Sequence, residues 1–408
     1  MRRLLSALAV LSFCLAAGAA PADDTACIAS PTRLCVLGMA LEATQAAGQV
    51  VSMSSSNDQA ANDRFLDVWK SWVEIVKTSA RAGELDFSVS TAKAIDEKFK
   101  GASIADLISA LKLSGREADL AELLKQTGGD EKSGDMIFGP ALIAAGRSDD
   151  FKAFAASRNY SPYDLAAMEA AGNFLAGKPD LAQASIETQH GSYRRGAGVN
   201  ALGFLSMADR LDLAEPLLKY QDLDTADGVE ACARVAQATK GKELAERCLA
   251  AASPLPEKTA NDGAYGYAIA PQLVGALAAA GDWEQALDIL RQIPPDVQPT
   301  AVDKLARFAR SPELLPTARK ALGSPGPMAQ KRGGYLVRML VLAGQADEAE
   351  KFVAAAPDDA ARQAWTGFQA EALAEAGDTA RALPLAAGIT DPVSKAHALC
   401  AVAKALKN

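Results

Sequence analysis

The sequence predicts an all-α protein, a right-handed α-solenoid of about ten helix-turn-helix repeats with a period near 32 residues, and three observations carry that expectation. The first is a returning pattern of leucine, two residues, a small residue and glycine, with alanine five positions after the glycine. It is clearest at Leu277, Ala280, Gly281 and Ala286, at Leu340, Ala343, Gly344 and Ala349, and at Leu373, Ala376, Gly377 and Ala382. Degenerate copies sit at Leu111 with Gly115, Leu142 with Gly146, Gly177 with Ala182, and Leu205 with Asp209 and Ala214. The second observation is the spacing of the marker column Gly48, Gly83, Gly115, Gly146, Gly177, Asp209, Gly241, Gly281, Gly344 and Gly377, whose gaps are 35, 32, 31, 31, 32, 32, 40, 63 and 33. The gap of 63 holds two repeats, with Pro312 in the missing column, and the gap of 40 holds one repeat plus an insertion. The third is composition: 408 residues, 49% hydrophobic but only 6% aromatic, suit many thin alanine-rich helices better than a thick β core. A stack of small units at this period is the signature of a repeat architecture.

Taken from the start, residues 1–22 read as a secretory leader. Arg2 and Arg3 form the charged start, Leu4 to Ala17 the apolar stretch, and Ala20, Pro21 and Ala22 a cleavage site before Asp23. Phe13 before Cys14 is a poor context for lipidation. No later stretch is long and apolar enough to span a bilayer. The expected location is periplasmic or secreted, after cleavage near Ala22, with residues 23–408 forming one α-solenoid domain. Losing the two leader arginines takes the net charge from −8 to −10. With no long basic run, nucleic acid and anionic membranes are poor partners.

Export makes the cysteines informative. Cys27 and Cys35, eight apart around Ser30 and Pro31, predict a bond tying the chain's start to the first helix. Cys232 lies nine residues before Gly241 and Cys248 seven after it. In an antiparallel hairpin these positions differ by only about 3 Å of helical rise, which predicts a second staple. Cys400 has no obvious partner and reads as a small buried residue.

Within each repeat, helical apolar spacing flanks a glycine able to take the left-handed conformation that ends a helix. In the last full repeat a helix is expected from Asp359 to Ala376, with Ala361, Trp365, Phe368, Ala372 and Leu373 on one stripe. Asp378 should cap the next helix, and Ala382 should let the paired helix approach closely. The Pro-rich stretch 253–263 is a loop insertion, and 392–408 a lone capping helix.

Catalytic constellations are nearly absent. His190 and His397 are separated by 207 residues, which argues against a shared metal site, and His397 reads as an ordinary helix residue. Ser90 to Lys93 spell Ser-x-x-Lys without the companion elements of penicillin-recognising enzymes. Asp222, Asp224, Asp227 and Gly228 approach a calcium loop, but the glycine is one place late and the closing glutamate is missing. Neither metal nor cofactor is expected.

What remains is a ridge of large polar and aromatic residues near the start of several first helices. It comprises His190, Tyr193, Arg194 and Arg195, then Tyr265 and Tyr267, then Lys331, Arg332, Tyr335 and Arg338, then Trp365. Equivalent positions line up across stacked repeats, and aromatics with arginine dominate binding hot spots, so these are the candidate binding residues. The competing expectation is that the aromatics are core and the arginines solvate an acidic protein.

The segments Leu277–Leu287 (LAAAGDWEQAL) and Leu373–Leu383 (LAEAGDTARAL) resemble the inter-helix turn of tetratricopeptide repeats, although the spacing here is nearer 32 than that family's 34 residues. The resemblance implies an exported scaffold that binds a protein or peptide partner in the cell envelope and is not an enzyme. The alternatives are an α/α-toroid enzyme acting on polysaccharide or cell wall, and a structural spacer in an envelope complex.

Overall fold

The computed structural model describes residues 24–47, 59–94, 104–127, 131–253, 269–293, 298–308 and 329–406. The leader, Gly48, Tyr265, Tyr267, Pro312 and nearly all of the 253–263 insertion lie outside them. All regular structure in the described residues is helical. Their contacts divide the chain into two compact units, residues 1–131 with 356–408, and residues 132–355, where the repeat rhythm predicts one continuous domain.

The first unit contains α1 (Asp24–Ala29), α2 (Arg33–Ala46), α3 (Gln59–Arg81), α4 (Leu85–Lys93), α5 (Ala105–Leu113) and α6 (Glu117–Thr127). The second runs through α7 (Glu131–Ala144), α8 (Ser148–Ser157), α9 (Pro162–Leu175), α10 (Pro179–Glu187) and α11 (Ser192–Met207). It continues with α12 (Ala226–Thr239), α13 (Lys242–Ala252), α14 (Ala270–Ala279), α15 (Trp283–Gln292), α16 (Gln298–Phe308), α17 (Ala329–Leu342) and α18 (Ala346–Ala354). The chain then returns to the first unit with α19 (Asp359–Glu375), α20 (Thr379–Ala387) and α21 (Pro392–Ala405).

The marker positions end helices as their spacing predicts. At Gly377 the backbone is left-handed (φ 86°), the Gly377 amide donates to the Ala374 carbonyl, and the Asp378 amide donates to the Leu373 carbonyl at 2.8 Å. This paired closure satisfies carbonyls that a helix end leaves open. The same two bonds recur at Gly83, Gly115, Gly146, Gly177, Asp209, Gly281 and Gly344, all with positive φ. The marker leucine is thus the residue whose carbonyl receives the bond that spans five residues. Ala182, Ala214, Ala286, Ala349 and Ala382, five residues past the turn, are wholly buried, as expected for a point of close helix approach. Asp378 caps α20 by accepting from the Arg381 amide at 3.2 Å, as expected.

Two turns depart from the rhythm. At Gly241 the left-handed residue is Lys240 (φ 57°), because α12 stops one residue early and Gly241 (φ −81°) becomes the N-cap of α13. After Asp209 the expected second helix is replaced by two short 3-10 helices, Leu211–Leu213 and Glu215–Tyr220. The chain tightens there into three-residue turns, whereas α20 stays α-helical with Pro384 at the equivalent place, seven residues past its marker.

Both predicted disulfides are present. Cys27–Cys35 joins α1 to α2, and Cys232–Cys248 joins α12 to α13 across their turn, with both sulfur-bearing residues of the second pair wholly buried. Closing a loop of 16 residues stabilises the fold by about 3 kcal/mol, chiefly by restricting the unfolded chain. No described helix is long and apolar enough to cross a membrane.

In the first unit the start of the chain is packed on its end. The helix expected as a lone cap is α21, and it carries α2 and α3 on it as well as α19 and α20. Arg33 crosses from α2 to the last turn of α21, where its Nε donates to the Ala403 carbonyl at 3.1 Å and its Nη2 to the Leu406 carbonyl. A guanidinium there satisfies open carbonyls and opposes the negative end of the helix dipole. Lys404 pairs with Glu74 on α3, and His397, expected to be unremarkable, lies 3.3 Å through Nε2 from the Ser71 hydroxyl. Ser71 is buried and also donates to the Asp67 carbonyl, so it is a packing partner and is closed to substrate. Cys400 is the free cysteine of the described residues, buried in α21, and burial pushes its thiol up to about 12.

Candidate functional site

An open groove of about 1000 Å³ lies in the second unit. One wall is the α9–α10 turn, with Phe174, Gly177, Pro179 and Gln183. The floor and opposite wall come from the 3-10 segment and the strand of chain after it, with Leu213, Pro216, Leu218, Gln221 and Leu223, and Arg247 of α13 reaches the rim. The groove exists because the 3-10 turns occupy the place where the rhythm calls for a full second helix. Its interior is mainly apolar, while Asp212, Glu215, Lys219 and Asp224 make its edge polar. The side-chain nitrogen of Gln221 is buried there without a hydrogen-bond partner.

None of the first ridge cluster, His190, Tyr193, Arg194 and Arg195, lines this groove, but two of its arginines connect to it through ion pairs. Glu187, at the end of α10, accepts a 2.6 Å bond from the Tyr220 hydroxyl, pairs with Lys219 at 3.0 Å through the same oxygen, and meets Arg194 at 3.3 Å through the other. Arg194 also donates through Nε to the Gln189 carbonyl at 3.0 Å. Arg195 pairs with Asp222 at 3.1 Å, next to the groove residues Gln221 and Leu223. The Tyr220 and Lys219 hydrogen bonds hold the Glu187 carboxyl below its ordinary value of 4.5, and the Glu187 bond in turn raises Lys219. Burial, then the bond to Glu187, raises Tyr220. Tyr193 is 59% exposed and stacks on Tyr163, ring centroids 5.8 Å apart. His190 is exposed in the loop before α11, where its carbonyl accepts from the Tyr193 amide.

The rest of the ridge is corrected by the structure. Tyr335 and Trp365 are 8% and 7% exposed, and therefore belong to the core as the competing expectation held. Arg338 is 5% exposed and bound at 2.9 Å to Asp303, so its charge is spent inside the fold. The physical reason is that α17 is buried on every face between Gly333 and Ala343, so it offers no outer stripe there. Lys331 and Arg332 lie in α17 with side chains outside the described residues, as do Tyr265 and Tyr267 entirely. Asp222, considered above as part of a calcium loop, spends its side chain on Arg195 and on the Asp224 amide.

The groove residues were missed by the pattern reading, although a signal was available. The repeat at Asp209 lacks the marker glycine and carries Pro216 where the second helix should run.

Because the Glu187 carboxyl is lowered in the folded state, the stability it contributes is present above its unfolded value and is lost as pH falls through the folded one. The Glu187→Gln variant should therefore melt below wild type at pH 7, with the gap closing as pH drops below about 4. Melting curves across this range check it, and a gap independent of pH would contradict the network.

No protein-family model and no curated protein matches the chain.

Proposed function

We propose that the protein is an exported, non-catalytic helical-repeat scaffold, a right-handed α-solenoid of about ten hairpins, that binds a protein or peptide partner through the groove beside Tyr220. The observation that carries the reading is the groove itself: an open, mainly apolar trough with a polar edge, made where one second helix is replaced by 3-10 turns. Small-molecule sites are concave and closely enclosing, whereas an open trough of this kind suits a segment of chain. Departures within a repeat array concentrate on the binding face, which supports the same choice. The two disulfides support export, since such bonds persist in oxidising compartments. Arg247 in the lining, and Arg195 paired to Asp222 next to Gln221, supply arginines of the kind that dominate interface energetics.

A photo-reactive phenylalanine analogue placed at Leu213 or Leu223, with Leu34 as a site in the other unit for comparison, tests this in intact cells. One discrete adduct from the groove positions, absent at Leu34 and lost in an Arg247→Glu, Pro216→Asp variant that still folds, is the expected result. Absence of any groove-specific adduct overturns it.

A further inference from the structure

The polar lining of the groove divides into groups that the fold has used and groups that it has not. Asp212 is bound to Arg210 at 2.9 Å, and Lys219 to Glu187 at 3.0 Å. Arg247, Glu215 and Asp224 are exposed in the lining and have no ion pair among the described residues, so Arg247 is paired with neither carboxylate. The rim therefore offers unspent charge of both signs. A segment carrying only basic or only acidic side chains meets a like charge there, whereas a segment with one of each finds an opposite charge for both.

The neutral groups of the lining are divided in the same way. The Gln221 side chain is half-buried and makes no hydrogen bond among the described residues, with its nitrogen enclosed. Amide oxygen and nitrogen exchange places on a half-turn, so this group can answer either a donor or an acceptor. Two residues on, the backbone of Leu223 makes no hydrogen bond among the described residues either. Polar groups left in this way become costly once an occupant shuts out water. A helix pairs its own N–H and C=O groups internally and cannot satisfy them, whereas an extended chain keeps a free donor and acceptor at every residue.

We infer that the groove takes an extended peptide segment of mixed charge, whose backbone bonds to the Gln221 amide, whose acidic side chain meets Arg247 and whose basic side chain meets Glu215 or Asp224. The inference rests on the groove reading above and adds to it the conformation and charge of the occupant. Leu213, Pro216 and Leu218 receive the apolar side chains between the two charges.

Titration calorimetry of the full chain at low salt tests this with acetylated, amidated peptides of the form Leu-Xaa-Val-Pro-Val-Xaa-Leu. The two variable places hold Lys then Glu, Glu then Lys, two Lys, two Glu or two Gln. The tighter of the two mixed peptides is expected to bind about tenfold better than the Gln peptide, from two rim pairs of about threefold each, and better than either like-charged peptide. Arg247→Gln is expected to weaken the mixed peptide about threefold and leave the Gln peptide unchanged. Gln221→Met is expected to weaken every peptide about fivefold, the effect of one neutral hydrogen bond, and to melt no lower than wild type, which separates lost recognition from lost folding. Tightest binding by a like-charged peptide, or by a helix-favouring counterpart with three central alanines, overturns the inference and leaves the groove as a docking site. Unchanged affinity in Gln221→Met does the same. Failure of every peptide also overturns it, and the in-cell adduct at Leu213 or Leu223 then shows separately whether the groove reading stands.

Discussion

Alanine at position 228 is expected to destabilise the second unit by about 3 kcal/mol, at the upper end of the range for overpacking. Gly228 lies in the first turn of α12, and a Cβ there would fall 1.9 Å from the Asp222 carbonyl oxygen and 2.5 Å from its carbon. The obstructing atoms are backbone, so no side-chain rotation relieves the clash. The same carbonyl accepts the Thr225 hydroxyl at 2.7 Å, and Thr225 caps α12 by accepting from the Gly228 amide at 3.2 Å. Moving the turn therefore also costs the cap, a further contribution of about 1 kcal/mol. Gln221, Leu223 and Asp224, all groove-lining, lie in the displaced stretch, so partner capture should weaken with stability. Gly203→Ala on α11 is the matched control, because nothing lies within 4 Å of its Cβ position. It should stabilise by about 0.5–1 kcal/mol, the usual gain over glycine inside a helix. Denaturant titration distinguishes them, and a Gly228→Ala protein within about 1 kcal/mol of wild type would show that the turn does not press on α12.

Removing the Leu37 side chain should unlock the far end of the chain. Leu37 is wholly buried in α2, which packs on α21 some 360 residues later in the sequence, and its truncation to alanine costs about 2–5 kcal/mol. The reporter is Cys400, whose thiol is buried in α21 and held near 12, so that alkylation requires the helix to open. If opening is fast relative to labelling, a loss of 2 kcal/mol raises the labelling rate about 30-fold. Iodoacetamide labelling, followed at the Cys400 peptide by mass spectrometry, measures it. A rate equal to wild type would mean that α21 opens independently of α2.

These two expectations differ in what a reader of the sequence could have anticipated. The turn at Gly377, the cap at Asp378, the buried alanines and both cysteine pairs were legible, because each rests on residues within one hairpin. The helix end needs a left-handed residue, the cap needs an oxygen three residues before a free amide, and the staple needs two sulfurs at one height. The 3-10 segment was half legible: the missing marker glycine sets the repeat at Asp209 apart, but a proline in the place of Pro216 is tolerated in α20 as Pro384, and the groove that results depends on Phe174 and Pro179 from the preceding hairpin and Arg247 from the next.

The sequence by itself determined the all-helical class, the positions of most turns and the disulfide pairing, because those are fixed by backbone sterics and short-range spacing. Only the tertiary structure decided which of the ridge residues emerge. Arg194 and Arg195 pair with Glu187 and Asp222 at the surface and Tyr193 stays exposed, while Arg338, Tyr335 and Trp365 turn inward. It also decided that α2 covers α21. The physical reason is common to all of these: burial and charge pairing depend on side chains brought together from distant repeats, and an equivalent position in each hairpin meets a different neighbour.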